Sequence, residues 1–338
     1  MALQHNVDLR PYNTFGISVH ADRSGTFHNV EELRGLLADP EVQNSPLLVL
    51  GGGSNILFTQ DFRGTALSNG IPGIDVVKED SDHVWVKAGA GVVWHEFVLF
   101  CVEQGWGGIE NLSLIPGKVG AAPMQNIGAY GVEIKDTFHA LEALRIDNGE
   151  VVSFTKDQCA FGYRESYFKR EGKGRYIILS VTFRLTERPV LNTSYGNIQQ
   201  ELERMGITAP TLRDVSNAVI AIRRSKLPDP AVIGNAGSFF KNPVVPEDVL
   251  NSIRKSDPDV VAYPAGPGHF KLAAGWLIER AGLKGYRQGQ QGVHDRQALV
   301  LVNHGGATGK AIYDLSEHVL KTVKARFGVE LEREVNIL

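Results

Sequence analysis

The sequence predicts a mixed α and β protein with helices and strands interleaved, and three observations carry that prediction. Short apolar runs of strand length are bounded by proline or glycine, as in Leu47-Leu48-Val49-Leu50 after Pro46. Other windows repeat apolar residues at helical spacing, as in Ile312, Leu315, Val319, Val323 and Phe327. Between these types lies a tract, residues 110–131, that follows neither period. At 338 residues the chain is longer than one hydrophobic core usually supports, so two or three domains are expected.

Taken in order, Asn29 with Glu32 three residues on forms a capping box that opens a short amphipathic helix through Leu33, Leu36 and Leu37. The 47–50 run reads as a buried strand, followed by Gly51-Gly52-Gly53-Ser54-Asn55 and then Ile56-Leu57-Phe58. Residues 84–88 form the next strand, and 94–104 a helix stopped by Gly105. The 110–131 tract is too apolar and too rich in small residues for a solvated loop; it suits a segment that wraps a ligand. Asp147-Asn148-Gly149-Glu150 is a hairpin turn between strands at 141–146 and 151–154, and a long alternating strand covers 176–185. Ile198, Leu202 and Met205 mark a helix closed by Gly206. Leu212, Val215, Val219 and Ile222 mark another, capped by Thr211 and ending before Leu227-Pro228, which puts a domain boundary near residue 226. Residues 271–280 read as a helix closed by Gly282, 298–302 as a strand, 312–327 as a helix stopped by Gly328, and 329–338 as a terminal strand.

Composition narrows the class. Hydrophobic content of 43% with 22% charge describes an ordinary globular protein, and a net charge of −3 gives no case for nucleic acid or an anionic membrane as partner. The only cysteines, Cys101 and Cys159, lie far apart without metal-ligand spacing, which argues against a disulfide framework or zinc and fits a reducing cytoplasm. The first 17 residues hold Asp8, Arg10 and Pro11 and no apolar core, so no signal peptide is expected, and no run reaches the length of a membrane span. The 37 glycines fall in clusters, which points to phosphate or cofactor loops more than to linkers.

Four motifs offer chemistry, each beside a plain structural alternative. Gly51–Asn55 after an apolar strand is either a phosphate loop of converging backbone N–H groups or a structural turn. No Lys-Ser/Thr pair follows it and no G-x-G-x-x-G follows a strand, so the triphosphatase loop and the dinucleotide fingerprint are both excluded. Arg164, in Phe161-Gly162-Tyr163-Arg164-Glu165-Ser166, is either a solvated ion pair or a two-pronged clamp for a carboxylate. Glu332 and Glu334 share a strand face, so one of them turns inward or both are solvated. In Gly234-Asn235-Ala236-Gly237-Ser238-Phe239-Phe240-Lys241-Asn242-Pro243 the glycines bend the chain or admit a close approach, and Ser238 is the first group with chemistry to offer. No G-x-S-x-G elbow surrounds Ser238, and a nucleophile there would need His269, His294 or His304 to approach in the fold.

Seven blocks, at 51–57, 115–131, 163–166, 225–228, 234–243, 271–285 and 331–335, together resemble the UDP-N-acetylenolpyruvoylglucosamine reductase family of flavoenzymes, in order from about Asn13 to Val335. Tyr195, in Thr193-Ser194-Tyr195-Gly196, and the long 244–297 segment resemble the class with a tyrosine loop and a fuller substrate domain. The resemblance implies an α+β chain: a two-subdomain FAD-binding fold of the p-cresol methylhydroxylase type plus a third, α+β substrate-binding domain. Residues 1–72, completed by 328–338, would form the first FAD subdomain and 73–225 the second, with the methylhydroxylase-type region at about 14–190 and the substrate domain at 226–327. The implied reaction reduces the enolpyruvyl group of UDP-N-acetyl-3-O-(1-carboxyvinyl)glucosamine to the lactyl ether of UDP-N-acetylmuramate, a peptidoglycan precursor, with NADPH as co-substrate. FAD would be held by Gly51, Gly52, Gly53, Ser54, Asn55, Ile115, Pro116, Gly120, Gln125, Asn126, Gly128, Tyr130 and Arg223, and non-covalently, since these loops contain no histidine. Tyr195, Lys226, Asn242 and Gln297 match positions that hold the UDP-sugar, with no metal, and a cytoplasmic monomer is implied.

Arg164, Ser238 and Glu334 carry over as catalytic. Hydride delivered from reduced flavin N5 to the methylene carbon leaves negative charge on the adjacent carbon, spread into the carboxylate, and that charge needs pre-placed donors. Arg164 suits this as a fixed cation. Glu334 helps only when protonated, a form that burial beside the substrate carboxylate favours. Ser238 then donates the proton that quenches the carbanion. On the residues alone two other readings stay open, an oxygen-using flavin oxidase on the same scaffold and a non-catalytic nucleotide-sugar binder. Glu334 stands only four residues from Leu338, where a chain end tends to fray.

Overall fold

The alternation expected at 176–185 is realised as the strand Tyr176–Thr186, the centre of a five-stranded sheet in a computed structural model that describes residues 3–338. The order across that sheet is Val151–Thr155, Phe138–Arg145, Tyr176–Thr186, His83–Gly89 and Ile74–Glu79, with every neighbouring pair antiparallel. The hairpin turn falls as expected, with Gly149 at φ +70° between Phe138–Arg145 and Val151–Thr155. Because side chains alternate along a strand, Val181, Phe183 and Leu185 share one face with Val84, Val86 and Ala88, all fully buried. The Trp94–Glu103 helix covers that face: the Phe183 ring lies 5.6 Å from Trp94 and 5.2 Å from Phe97. Gly105, at φ +81°, ends the helix where it was expected to.

A second sheet runs Gln4–Asp8, His20–Phe27, Phe62–Asn69, Leu47–Leu50. Leu47–Leu50 is its edge strand, parallel to Phe62–Asn69, so only Leu50 of the run is fully buried, where a wholly buried strand was expected. The Val30–Leu37 helix packs Leu33 and Leu36 against Phe27, Leu67, Leu144, Ile177 and Leu179. Its cap differs slightly from expectation. Asn29 Oδ1 accepts the Glu32 N–H at 2.8 Å, but the Glu32 carboxylate returns to the N–H of His28 at 2.7 Å, one residue further out. In the Ile198–Arg204 helix, Ile198 and Leu202 pack against Val215, Val219 and Ile222 of the Leu212–Lys226 helix, while Met205 lies outside both the helix and its core.

By Cα packing the described residues fall into two units, each assembled from separated stretches: 3–7, 21–52 and 63–225 in one, 8–20, 53–62 and 226–338 in the other. The second unit contains a four-stranded sheet ordered Gly234–Ser238, Val300–Asn303, Gln291–Val293, Arg287–Gln288, and a three-stranded sheet of Val244–Pro246, His269–Leu272 and Ala262–Pro264. Three helices accompany them, Glu247–Ser256, Ala274–Arg280 and Gly309–Phe327, the last stopped by Gly328 at φ +68°. Two expected elements shift. The helix expected at 271–280 begins only at Ala274, because Lys271 and Leu272 are taken up in strand pairing. The strand expected from 298 begins at Val300, because Val300 N–H closes a turn on Gln297 O at 3.0 Å. The terminal strand shrinks to Asn336–Ile337, paired in parallel with Ile56–Leu57. Its last residues are hydrogen-bonded: Leu338 N–H donates to Leu57 O at 2.9 Å, and the Thr59 N–H and hydroxyl both donate to Leu338 O, at 2.7 and 2.8 Å. Among the described residues no helix is long and apolar enough to cross a membrane.

The aromatic contact over the five-stranded sheet gives a direct test. Phe183→Ala should lower stability by about 3–5 kcal/mol through lost burial and a cavity beside Trp94 and Phe97. Urea unfolding followed by tryptophan fluorescence checks it, and a midpoint equal to wild type would contradict the packing described.

Candidate active site

The segment around Ser238 is built by a bulge. Asn235 pairs with Val302 and Ser238 with Val300, so the strand carries one extra residue in between. Gly237 adopts φ +67° there, and its N–H is received by Asn235 Oδ1 at 2.9 Å. Gly234 is needed for a different reason: a Cβ on it would stand 2.3 Å from the Phe15 carbonyl oxygen. Its close approach is therefore to the chain's own backbone. Beyond the bulge, Phe239 and Phe240 are buried, with ring centroids 5.2 Å apart, and Ser238 before them is half-buried.

Glu334 is laid alongside this segment. Glu334 N–H donates to Phe239 O at 2.9 Å, Phe240 bridges Arg333, and Lys241 N–H donates to Glu332 O at 2.8 Å. Side chains reinforce the pairing. Lys241, 8% exposed, donates to the Glu332 carboxylate at 2.6 Å, while Arg333 donates to Ser316 Oγ at 2.8 Å, pairs with Glu317 and stacks 4.6 Å over the Tyr313 ring. Of the two glutamates weighed in the sequence, Glu332 stays at the surface in its ion pair and Glu334 is buried at 9% exposure. Asn55 Nδ2 donates to Glu334 O at 3.3 Å, so an expected flavin residue and an expected catalytic one share a backbone contact.

In the other unit, Arg164 sits at a tight turn. Gly162 and Glu165 exchange both backbone hydrogen bonds, and Arg164 occupies the corner between them at φ +56°. A non-glycine residue there is strained by about 1–3 kcal/mol, so its surroundings must hold it. Asn126 Nδ2 donates to Gly162 O at 3.0 Å, Ser166 Oγ to Met124 O at 2.7 Å, and Lys169 Nζ to Arg164 O at 3.2 Å. The half-buried guanidinium donates to Gly128 O at 2.9 Å. Gly128 belongs to a hairpin that sequence reading missed: Gly128 pairs with Glu133 and Ala129 with Val132, around Tyr130 at φ +50° and Gly131 at φ +79°. Two left-handed residues make the favoured two-residue hairpin turn, but the usual Asn-Gly or Asp-Gly signal is absent. Tyr130 and Arg223 meet here. Burial raises the Tyr130 pKa and Arg223 opposes that rise; burial lowers that of Arg223, with the nearby Arg164 charge adding to the effect. Arg223 thus lies within electrostatic range of both Tyr130 and Arg164.

The expected flavin loops also converge within their units. A Cβ on Gly52 would stand 2.9 Å from Gly117 Cα, one on Gly51 3.4 Å from Ala121 Cβ, and one on Gly120 2.5 Å from Ala90 Cβ. Gly53, at φ +59°, lies against the Tyr12 carbonyl in the same way, and half-buried Ser54 follows it. The loops at 51–55 and 115–131 contain no Asp or Glu, and Lys118 adds a cation the sequence reading passed over. Its Nζ donates to Asn69 O at 2.6 Å, and burial holds its pKa below the usual lysine range. Backbone surfaces free of carboxylates, with one lysine, fit the diphosphate of FAD. Ile115 and exposed Pro116 form the tip of this tract, and Gln125 ends its 3-10 helix, Val119–Gln125. The Asn126 side chain is engaged within the loop itself. Its amide donates to Glu133 and Gly162 O and its oxygen accepts the Lys135 N–H, so it shapes the loop.

Of the expected substrate contacts, Asn242 and Gln297 converge on the first turn of the Ala274–Arg280 helix. Asn242 Oδ1 accepts the Ala274 N–H at 2.9 Å, and Gln297 Oε1 lies 2.9 Å from where a Gly275 Cβ would be. Lys226 is the exposed last residue of the Leu212–Lys226 helix. Tyr195, 49% exposed, packs its Cβ against Gly131, beside Tyr130. The strain at position 164 can be read separately from its chemistry. Arg164→Gly and Arg164→Ala both remove the guanidinium, but the glycine variant should be more stable by about 1–2 kcal/mol, because only glycine is at ease in the left-handed region. Equal unfolding midpoints for the two variants would contradict the φ observed.

Residues 229–338 match the C-terminal domain of UDP-N-acetylenolpyruvoylglucosamine reductase, and residues 26–155 match an FAD binding domain. A UDP-N-acetylenolpyruvoylglucosamine reductase from Chromobacterium violaceum is 54% identical over 98% of both chains, and one from Pseudomonas aeruginosa is 52% identical over 100% of this chain and 99% of its own. The crystal structure of a UDP-N-acetylenolpyruvylglucosamine reductase from Thermus caldophilus shares the fold at a TM-score of 0.70 and 24% identity, covering 100% of this chain and 99% of that one. With identity above one half sustained along its length, the chain belongs to the UDP-N-acetylenolpyruvoylglucosamine reductase family and carries its two-subdomain FAD-binding fold with a further C-terminal domain.

Proposed function

We propose that this chain reduces the enolpyruvyl group of UDP-N-acetyl-3-O-(1-carboxyvinyl)glucosamine to the lactyl ether of UDP-N-acetylmuramate, with NADPH as the source of electrons. The observation that supports the reading is the pairing of the Ser238 segment with the tail, in which buried Glu334 bonds the backbone of Phe239, the residue that follows Ser238 at the end of the bulge. FAD, when bound, supplies hydride transfer from NADPH to the vinyl methylene carbon. Its binding is non-covalent, in keeping with loops 51–55 and 115–131 that contain neither histidine nor cysteine.

The side chains then divide the remaining work. One hydride and one proton convert the C=C bond to CH–CH3 while NADPH becomes NADP+, so the protein must place one proton and stabilise one charge. Arg164, held by its turn, sets a permanent cation against the charge that develops next to the substrate carboxylate. Glu334 in its acid form adds a hydrogen-bond donor to that charge. The Ser238 hydroxyl donates the proton to carbon; an enolate-like carbanion is basic enough to take it without an activating histidine. Tyr195, Lys226, Asn242 and Gln297 hold the nucleotide-sugar, with Tyr195 marking the tyrosine-loop class. The enzyme acts as a cytoplasmic monomer. A reducing compartment accords with two buried free thiols, both raised by burial, that of Cys159 to about 12.

The visible spectrum tests the reading. Purified protein should be yellow, bleach with NADPH and recover its colour on addition of the enolpyruvyl sugar nucleotide. Protein that releases no flavin on denaturation would sink the proposal, and recovery faster with oxygen than with substrate would mark an oxidase. Ser238→Ala should bleach normally but recover about 10²–10⁴-fold more slowly. Unchanged recovery would remove the proton-donor role.

A further inference from the structure

The tip Ile115-Pro116-Gly117 is gripped from two helices. On the Trp94–Glu103 helix, Trp94 N–H donates to Gly117 O at 3.0 Å, its indole Nε1 donates to Leu112 O at 3.0 Å, and His95 Nδ1 accepts the Leu114 N–H at 2.9 Å. From the Leu212–Lys226 helix, Arg223 Nε donates to Leu114 O at 3.2 Å, and Ser216 Oγ lies 2.8 Å from Ser113 Oγ. Leu114 is therefore held at both of its peptide groups, and it needs to be. It sits at φ +60°, a left-handed conformation that costs a leucine about 1–2 kcal/mol.

The grip on the Leu114 N–H depends on a titratable ring. His95 can accept at Nδ1 only while that nitrogen carries no proton, with the ring hydrogen on Nε2. An imidazolium has no acceptor and would set N–H against N–H. We propose that His95 is a positioning residue for the flavin: in its neutral form it holds Leu114 in the left-handed conformation that aims the 115–117 tip, and protonation loosens the tip and weakens FAD binding. This rests on the reading above that the 115–131 tract holds the cofactor.

The charged groups facing His95 are Arg224 and Arg223 on the Leu212–Lys226 helix and Glu96 on its own helix. Burial first, then the two arginines, hold its pKa below the ordinary 6.5, with Glu96 opposing. The sign follows from that direction. The closed tip favours the neutral ring, so its contribution is complete above 6.5 and is lost as the pH falls below that value and through the lowered one.

The test titrates FAD into flavin-stripped full-length protein between about pH 5 and pH 8, following flavin fluorescence. Wild type should lose affinity on acidification, by about tenfold for each unit that the pKa is displaced. His95→Asn offers an amide oxygen near the place of Nδ1 and does not titrate; it should bind like wild type at neutral pH and show a flatter profile. His95→Leu should bind weakly throughout. Equal pH slopes in wild type and His95→Asn, or tight neutral binding by His95→Leu, would overturn the inference. Hydrogen exchange of the 112–118 segment without flavin reads the clamp alone, and should be faster in His95→Leu than in wild type or His95→Asn at one pH. Protein that takes no FAD at any pH overturns the proposed function and the flavin half of this inference; equal exchange in all three overturns the clamp.

Discussion

Backbone held against its own preference is the constraint on which the unit that carries Arg164 depends. Leu114, Asn126, Tyr130 and Arg164 all adopt positive φ without being glycine. Three of these conformations are held by side chains on their own peptide groups: His95 and Arg223 hold Leu114, Asn111 Nδ2 donates to Tyr130 O at 3.0 Å, and Lys169 Nζ donates to Arg164 O at 3.2 Å. Hydrogen bonds to buried peptide groups are costly to leave unmade, so a loop without helical or strand period can still be rigid. The five-stranded sheet and the Trp94–Glu103 helix are the frame from which those side chains reach.

In the other unit a comparable result is obtained by a different route. There the backbone pairs in short ladder steps, and buried charge secures them. Lys241 joins Glu332 twice, through backbone and through side chain, and Arg333 ties the next residue to the Gly309–Phe327 helix. An ion pair buried on one side gains from its low-dielectric surroundings and loses heavily if one partner is removed, so such a pair specifies register more than it adds net stability. The bulge at Ala236 and Gly237 adds one residue to the strand between Asn235 and Ser238.

Much of the fold was legible because its signals are local. The capping residue Asn29, the Asn148-Gly149 hairpin turn, and the terminating glycines at 105, 206, 282 and 328 stand where composition placed them. What failed to show were effects of partners distant in the chain. Lys271 and Leu272 carry helix-compatible residues but pair as strand with Val244 and Ala262. The Tyr130-Gly131 hairpin has no turn signature, since its left-handed tyrosine is imposed by surroundings. Single residues of the site were legible as motifs in glycine-rich surroundings; His95, Lys118 and Lys241 were not, because each acts through a carbonyl, amide or carboxylate supplied from elsewhere.

The tail that carries Glu334 has a further consequence, in the order of events during folding. Asn55 bonds Glu334 across 279 positions of sequence, and Asn336 and Leu338 complete the same patch. Contacts of such separation form late, since the entropy of closing so long a loop must be overcome before the pairing rewards it. During synthesis from the N-terminus, Asn55 is made 279 residues before its partner Glu334. Until then the strand edge at Ile56–Leu57 stays open to wrong pairing, which makes this stretch the point at which a nascent chain would most need protection from association.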